Sequence, residues 1–171
     1  KNDSNLKNSF LNAEYQDLKL NCNILNGDFY MDSYNYFVID KNFRTFKDLF
    51  SRDNYQNNEH FFSKRFYQNL KSNIENFKKF ENIFILGSNA ANNYYSNLLQ
   101  FLPRIFFVEK KDIKIAIHRN SSIKFRKFIK LILDKKKINF NFVYLDDGFY
   151  EFVNCEMPQF LNLKKSVRIM Q

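Results

Sequence analysis

The chain predicts an α/β fold in which a parallel sheet is laid down as β-α-β-α-β from about residue 82, preceded by a β-meander and one long helix. Three observations carry this expectation. Short apolar runs stop abruptly: Ile83-Phe84-Ile85-Leu86 at Gly87, as a strand buried on both faces does, and later Phe142-Val143-Tyr144-Leu145 at Asp146-Asp147-Gly148. The intervening segments space their apolar residues by three and four, which is helical periodicity. Crossovers of that length join parallel strands right-handedly and cover the sheet with helices in the doubly wound, Rossmann-like manner.

Element by element, residues 1–17 are polar and weakly periodic and read as a flexible lead-in; residues 18–171 read as one domain. Between residues 18 and 50, β-prone runs alternate with the turn-forming triplets Asn26-Gly27-Asp28 and Asp40-Lys41-Asn42, which predicts the meander. Residues 57–80 place Phe62, Phe66, Leu70, Ile74 and Phe77 on one face of a long amphipathic helix. After the strand at Ile83, residues 92–102 put Tyr95, Leu98, Leu99 and Leu102 on a core-facing stripe, and Pro103 ends or kinks that helix. Ile113, Ile115 and Ile117 make the next strand. Phe125, Phe128, Ile129 and Ile132 are the core positions of the following helix, and residues 142–145 close the unit.

Composition bounds the function classes. The 171 residues include 22 Phe, 10 Tyr and 25 Asn but only 3 Gly and 2 Pro. The enriched types share AT-rich codons, so nucleotide composition accounts for the bias without selection on this protein. Lys and Arg exceed Asp and Glu by 9, a balance that suits anionic partners such as phosphate esters, nucleic acid or a lipid surface. Cys22 and Cys155 are the only cysteines and neither lies in a metal-ligand spacing, which excludes a structural zinc site. They fit a reducing cytoplasm, with a single disulfide between them left open. No apolar run approaches the ~20 residues of a transmembrane helix, and no secretory signal is present. The expected location is cytoplasmic.

If the strands run parallel, Gly87-Ser88-Asn89, His118-Arg119-Asn120 and Asp146-Asp147 gather at their carboxyl edge, where open α/β sheets bind ligands. Ser88 and Asn89 suit either an anion at a helix N-terminus or a simple capped turn; one glycine makes no nucleotide-binding fingerprint. Asn92, Ser96, Gln100 and Arg104 recur every four residues, as a ligand-facing stripe or a solvated one. Lys124, Arg126, Lys127 and Lys130 give the later helix a basic outer face, which reads as a solvated face in the absence of any nucleic-acid-binding signature. His60 and His118 have no triad or metal partner at a recognisable spacing. One of Asp146 and Asp147 is a candidate base at the sheet edge.

The stretch Asn93-Tyr94-Tyr95-Ser96-Asn97-Leu98-Leu99-Gln100-Phe101-Leu102-Pro103-Arg104 resembles the N-x-x-H-W-L-L-E-x-L-P-R helix of family 61 glycosyltransferases, enzymes of the GT-B fold that use nucleotide sugars to build glycans and surface polysaccharides. The resemblance extends from about Leu18 to Asn162, with the specific motif confined to that helix. Leu98, Leu99, Leu102, Pro103 and Arg104 are kept, whereas Ser96 stands at the family's His, Asn97 at its Trp and Gln100 at its acidic residue. Neither a serine hydroxyl nor an amide has the pKa of a general base.

What the resemblance implies is the N-terminal, acceptor-side half of a longer glycosyltransferase, with the nucleotide sugar supplied as co-substrate by a C-terminal domain absent from this segment. Arg104, Ser96 and Asp147 are its expected catalytic or charge-stabilising residues, and Ser88, Asn89, Asn93, Gln100, His118 and Arg119 its expected contacts with a glycan or polysaccharide acceptor. No cofactor or metal is expected in this segment, which by itself is expected to be inactive. The altered motif equally implies a non-catalytic glycan-binding or scaffolding relative, and the basic charge a third reading as a nucleic-acid binder.

Overall fold

Seven strands form one mixed sheet in the order β2-β1-β7-β4-β5-β6, with β3 also paired to β7. The structure is a computed structural model and describes residues 24–34, 36–44, 67–69, 72, 74–87 and 96–159, all within one compact unit, Cys22–Leu161. β1 (Ile24–Asp32) and β2 (Phe37–Asp40) are an antiparallel hairpin, and β1 also runs antiparallel to β7 (Phe149–Pro158). The strands β3 (Lys78–Glu81), β4 (Phe84–Ile85), β5 (Asp112–His118), β6 (Asn139–Leu145) and β7 pair in parallel with their neighbours. The fold is therefore mixed α/β, and the expected parallel run β4-β5-β6 is present within a sheet that is not wholly parallel. The expected lead-in, residues 1–17, lies outside the described residues.

Several local expectations are corrected. Asn26-Gly27-Asp28 is not a turn but part of β1; the hairpin turns instead after Ser33, and Tyr36 takes φ 52° there. The long helix expected over 57–80 does not reach its end, because Ile74–Asn76 is a single 3-10 turn and Lys78–Glu81 is a strand. Residues 67–69 and 72 are helical, and 57–66 lie outside the described residues. Between β4 and β5 the chain makes a π-helical turn, Asn97–Phe101, followed by a 3-10 helix, Leu102–Phe107, with Pro103 in its first turn. Widening and then tightening the helix rotates its faces. Asn97, Phe101, Arg104 and Ile105 are buried, while Leu99, expected in the core, is 70% exposed.

The helix α1 (Ile123–Lys135) starts where the Ser122 hydroxyl accepts the Phe125 N–H at 3.1 Å, and it ends before Lys137, which adopts φ 57°. It buries Phe125, Ile129 and Leu133; Phe128, expected beside them, is 40% exposed. Together with Ile83–Leu86, Ile115–Ile117, Phe152 and Met157 these residues form the main core. Each fully buried Ile or Phe contributes roughly 1.5–3 kcal/mol. Cys155 is a free, buried thiol in that core.

The sheet turns a corner that the pairing registers make visible. Burial along β7 falls on Tyr150 and Phe152 and then on Cys155 and Met157, a change of parity that marks one extra residue. The register of β1 on β7 slips at the same place, between Gly27 and Phe29. Asn154 and, on the neighbouring line, Asn82 take φ 50° and 54°, and their side chains hydrogen-bond at 2.6 Å. Asn154 N–H also reaches Asp28 Oδ1 at 2.8 Å. Three adjacent strands thus bend along one row.

Candidate functional site

The corner has a consequence at the opposite edge. By register Leu145 stands level with Gln159, ten residues beyond Phe149, which in a flat sheet would separate Leu145 from Phe149 by about 33 Å. The link Asp146–Gly148 reaches only about 14 Å. Folding of the sheet brings the start of β7 and the β1–β2 turn back over the carboxyl ends of β4, β5 and β6. There Ser33 Oγ donates to the Asp146 carbonyl at 2.5 Å and accepts Gly148 N–H at 3.1 Å, and Tyr150 Oη bonds the backbone of Asp146 at 2.9 and 3.0 Å. Burial pushes the Tyr150 phenol up, which keeps it a neutral donor.

Around this knot the polar residues of the edge pair across strands. His118, at the end of β5 and 2% exposed, lies 2.8 Å through Nε2 from Asp147 Oδ1. Its Nδ1 accepts the backbone N–H of Asn120 at 3.1 Å. A backbone amide only donates, so Nδ1 holds a lone pair and the ring proton sits on Nε2, pointed at the carboxylate. The result is an imidazole–carboxylate dyad whose imidazole is buried and whose carboxylate, 58% exposed, faces outward. Alongside, Arg119 holds Asp146 in a two-pronged ion pair. That hydrogen bond keeps the Asp146 carboxyl below the usual aspartate range and raises the Arg119 guanidinium.

The motif segment contributes differently from what its sequence suggests. Arg104 is 0% exposed: Nη1 donates to the Leu86 carbonyl at 2.8 Å, Nη2 lies 3.4 Å from the Ile85 carbonyl, and the guanidinium stands 5.4 and 5.7 Å from the ring centres of Tyr36 and Phe101. It fastens the motif segment to the end of β4 and offers nothing to a ligand, so its role is positioning rather than contact. Ser96 and Gln100 are half-buried, and Gln100 Oε1 is buried with no hydrogen-bond partner among the described residues. Ser88, Asn89 and Asn93 lie outside the described residues.

Of the expected site residues, the structure brings together His118, Arg119 and Asp147 at one edge, and seats Arg104 beneath it. The His118–Asp147 pairing was not legible from spacing, since 29 residues separate the two; the available signal was that each lies at the carboxyl end of a parallel strand. Ser33 gave no signal at all. A cleft of about 620 Å³ opens at the other end of the sheet, the amino edge, where Asn82, Lys110, Asp112, Asn139, Asn154 and Glu156 are among its lining residues. Among the described residues no three His, Cys, Asp or Glu side chains cluster to hold a metal ion, and no helix is long and apolar enough to cross a membrane. No family model, curated protein or solved structure matches the chain.

Proposed function

We propose that this chain is the acceptor-side part of a glycosyltransferase that moves a sugar from a nucleotide sugar to a glycan or polysaccharide hydroxyl, its sheet being the first Rossmann-like half of a GT-B enzyme. The observation that carries the reading is the Asp147–His118 dyad at the carboxyl edge of the parallel strands, next to the segment that resembles family 61. With Ser96 and Gln100 in place of the family's His and acidic residue, the motif itself holds no base. Asp147 supplies one. Its exposed carboxylate takes the proton of the acceptor hydroxyl as that oxygen bonds to the anomeric carbon and the bond from that carbon to the diphosphate breaks. The Nε2–H of His118 fixes the carboxylate's orientation, while Arg119, its charge met by Asp146, stands at the rim of the site.

The test uses the complete gene product with a panel of nucleotide sugars and glycan acceptors. Asp147→Asn is expected to lower kcat by roughly 10²–10⁴-fold, the range of a general base, with little change in stability because the side chain is mostly exposed. Transfer by Asp147→Asn at the wild-type rate refutes the assignment. A second reading, a non-catalytic glycan-binding module, is favoured by the amide-rich cleft at the amino edge, whose mixed charges suit a neutral polyol. It expects oligosaccharide binding that Asn139→Ala weakens, in a protein that turns over no donor.

A further inference from the structure

We infer that the outer face of α1 docks the protein on an anionic lipid bilayer surface. The helix turns Phe125, Ile129 and Leu133 inward, and its outer side carries Ile123 and Leu131 at 66% and 65% exposure, with Phe128 at 40%. At 100° per residue these alternate with Lys124, Lys127, Lys130 and Lys135 around the same face. Asp134 is the only acidic residue of the helix, and none of those four lysines joins an ion pair among the described residues. Lys136 is used otherwise: its Nζ donates to the Phe106 and Val108 carbonyls at 2.7 Å, which sets Phe106, 59% exposed, beside the helix end.

Two features on one face point to a bilayer rather than to a polyanion such as nucleic acid. A phosphate backbone is recognised by charge alone and gains nothing from outward Ile and Leu. At a membrane surface, those side chains enter the headgroup–acyl boundary while the lysine stems lie flat and their ammonium groups stay among the lipid phosphates. Each lysine near an anionic surface strengthens partitioning roughly fivefold, and the net charge of +9 for the whole chain adds the same sign of field. The inference stands apart from the glycosyl-transfer reading, because membrane binding is read without any turnover.

The experiment is co-sedimentation of the full chain with vesicles of phosphatidylcholine alone or with about one-third phosphatidylglycerol. Binding to the anionic vesicles is expected, with Lys124→Ser, Lys127→Ser and Lys130→Ser combined lowering it roughly 100-fold, and Ile123→Asp with Leu131→Asp abolishing it. These positions are exposed, so unchanged circular dichroism checks the fold. The chain has no tryptophan, so Leu131→Trp places a lone indole on the face. Its emission is expected to shift to the blue on adding anionic vesicles, whereas Phe43→Trp, on the hairpin side, stays unshifted. An unshifted Leu131→Trp, or apolar-to-Asp variants that bind as tightly as wild type, overturns the inference. So does equal affinity for a nucleic-acid duplex that is indifferent to Ile123 and Leu131.

Discussion

Truncating Arg104 separates a structural from a chemical role at the motif segment. In the folded protein its guanidinium is fully buried, donates to Leu86 at 2.8 Å and lies beside the packed rings of Tyr36 and Phe101. Arg104→Ala removes a charged hydrogen bond, a loss of roughly 1.5–3 kcal/mol. It also opens a void beside two aromatic rings, a further loss of about 2 kcal/mol or more. Against this, an ionised group no longer has to be kept out of water, which returns part of the loss. The net expectation is about 2–4 kcal/mol of destabilisation. Arg104→Met refills the void and leaves the Leu86 and Ile85 carbonyls without its donors, so it should cost less than alanine. Arg104→Lys keeps the charge but cannot serve two carbonyls with a planar fork.

The assay is urea denaturation followed by circular dichroism, with the midpoint moving and the slope unchanged. If Arg104→Ala unfolds within about 0.5 kcal/mol of wild type, the range of a surface substitution, the latch is not holding the segment. If it is that stable and yet sugar transfer by the complete gene product is abolished, Arg104 acts on substrate and the positioning role is wrong.

Two further outcomes follow from the same geometry. Gly87 has φ +74°, and a Cβ there would sit 2.0 Å from the Tyr36 ring, so Gly87→Ala should cost about 2–4 kcal/mol from backbone strain and overpacking. Adding Tyr36→Ala removes the collision but not the strain; a double-mutant cycle without coupling would show that the ring does not set the cost. Burial alone would raise the carboxyl of Asp40, but the Arg44 N–H and guanidinium, with the Asn42 N–H, outweigh it and hold it below its ordinary value. A depressed folded value supplies stability that is present above the unfolded aspartate value near 3.9 and is lost as pH falls through the lower folded one. Asp40→Asn is therefore expected to cost about 1–2 kcal/mol at pH 7 and almost nothing at the acid end, where wild type has lost the same contribution; equal stability curves from pH 7 to 2 in the two proteins would contradict this.

The parallel strands were legible because their chemistry is local: Ile113, Ile115 and Ile117 alternate, which marks a strand with one buried face, and Ile83–Leu86 is apolar throughout, which marks one buried on both. The segment after Gly87 was legible only in part. Its period of four suits a regular helix, but five π-helical residues followed by a 3-10 helix redistribute the faces, carrying Arg104 inward and Leu99 outward. Lys78–Glu81 departs from its helical pattern for the opposite reason. Phe77 and Phe80 continue a helical spacing from Ile74, and the pairing of Lys78–Glu81 with β7 is a long-range choice made by Tyr150 and Phe152, against which Phe80 stacks at 5.8 and 5.9 Å.

The site depends on the least legible residues of all. Asn82 and Asn154 look like two more members of a set of 25 that codon bias explains, yet each occupies the left-handed region that asparagine tolerates better than most residues. Placed side by side on adjoining strands and bonded to each other, they let β7 and the β3–β4 line bend together without breaking the sheet. That bend shortens the path from β6 to β7 to three residues. Three residues are few enough to hold Asp147 against the buried ring of His118, while Ser33 and Tyr150 clamp the turn from either side. The dyad thus follows from backbone freedom at the far end of the sheet. No search for spaced catalytic residues would find it, because the spacing between His118 and Asp147 is set by where the strands turn and not by a motif.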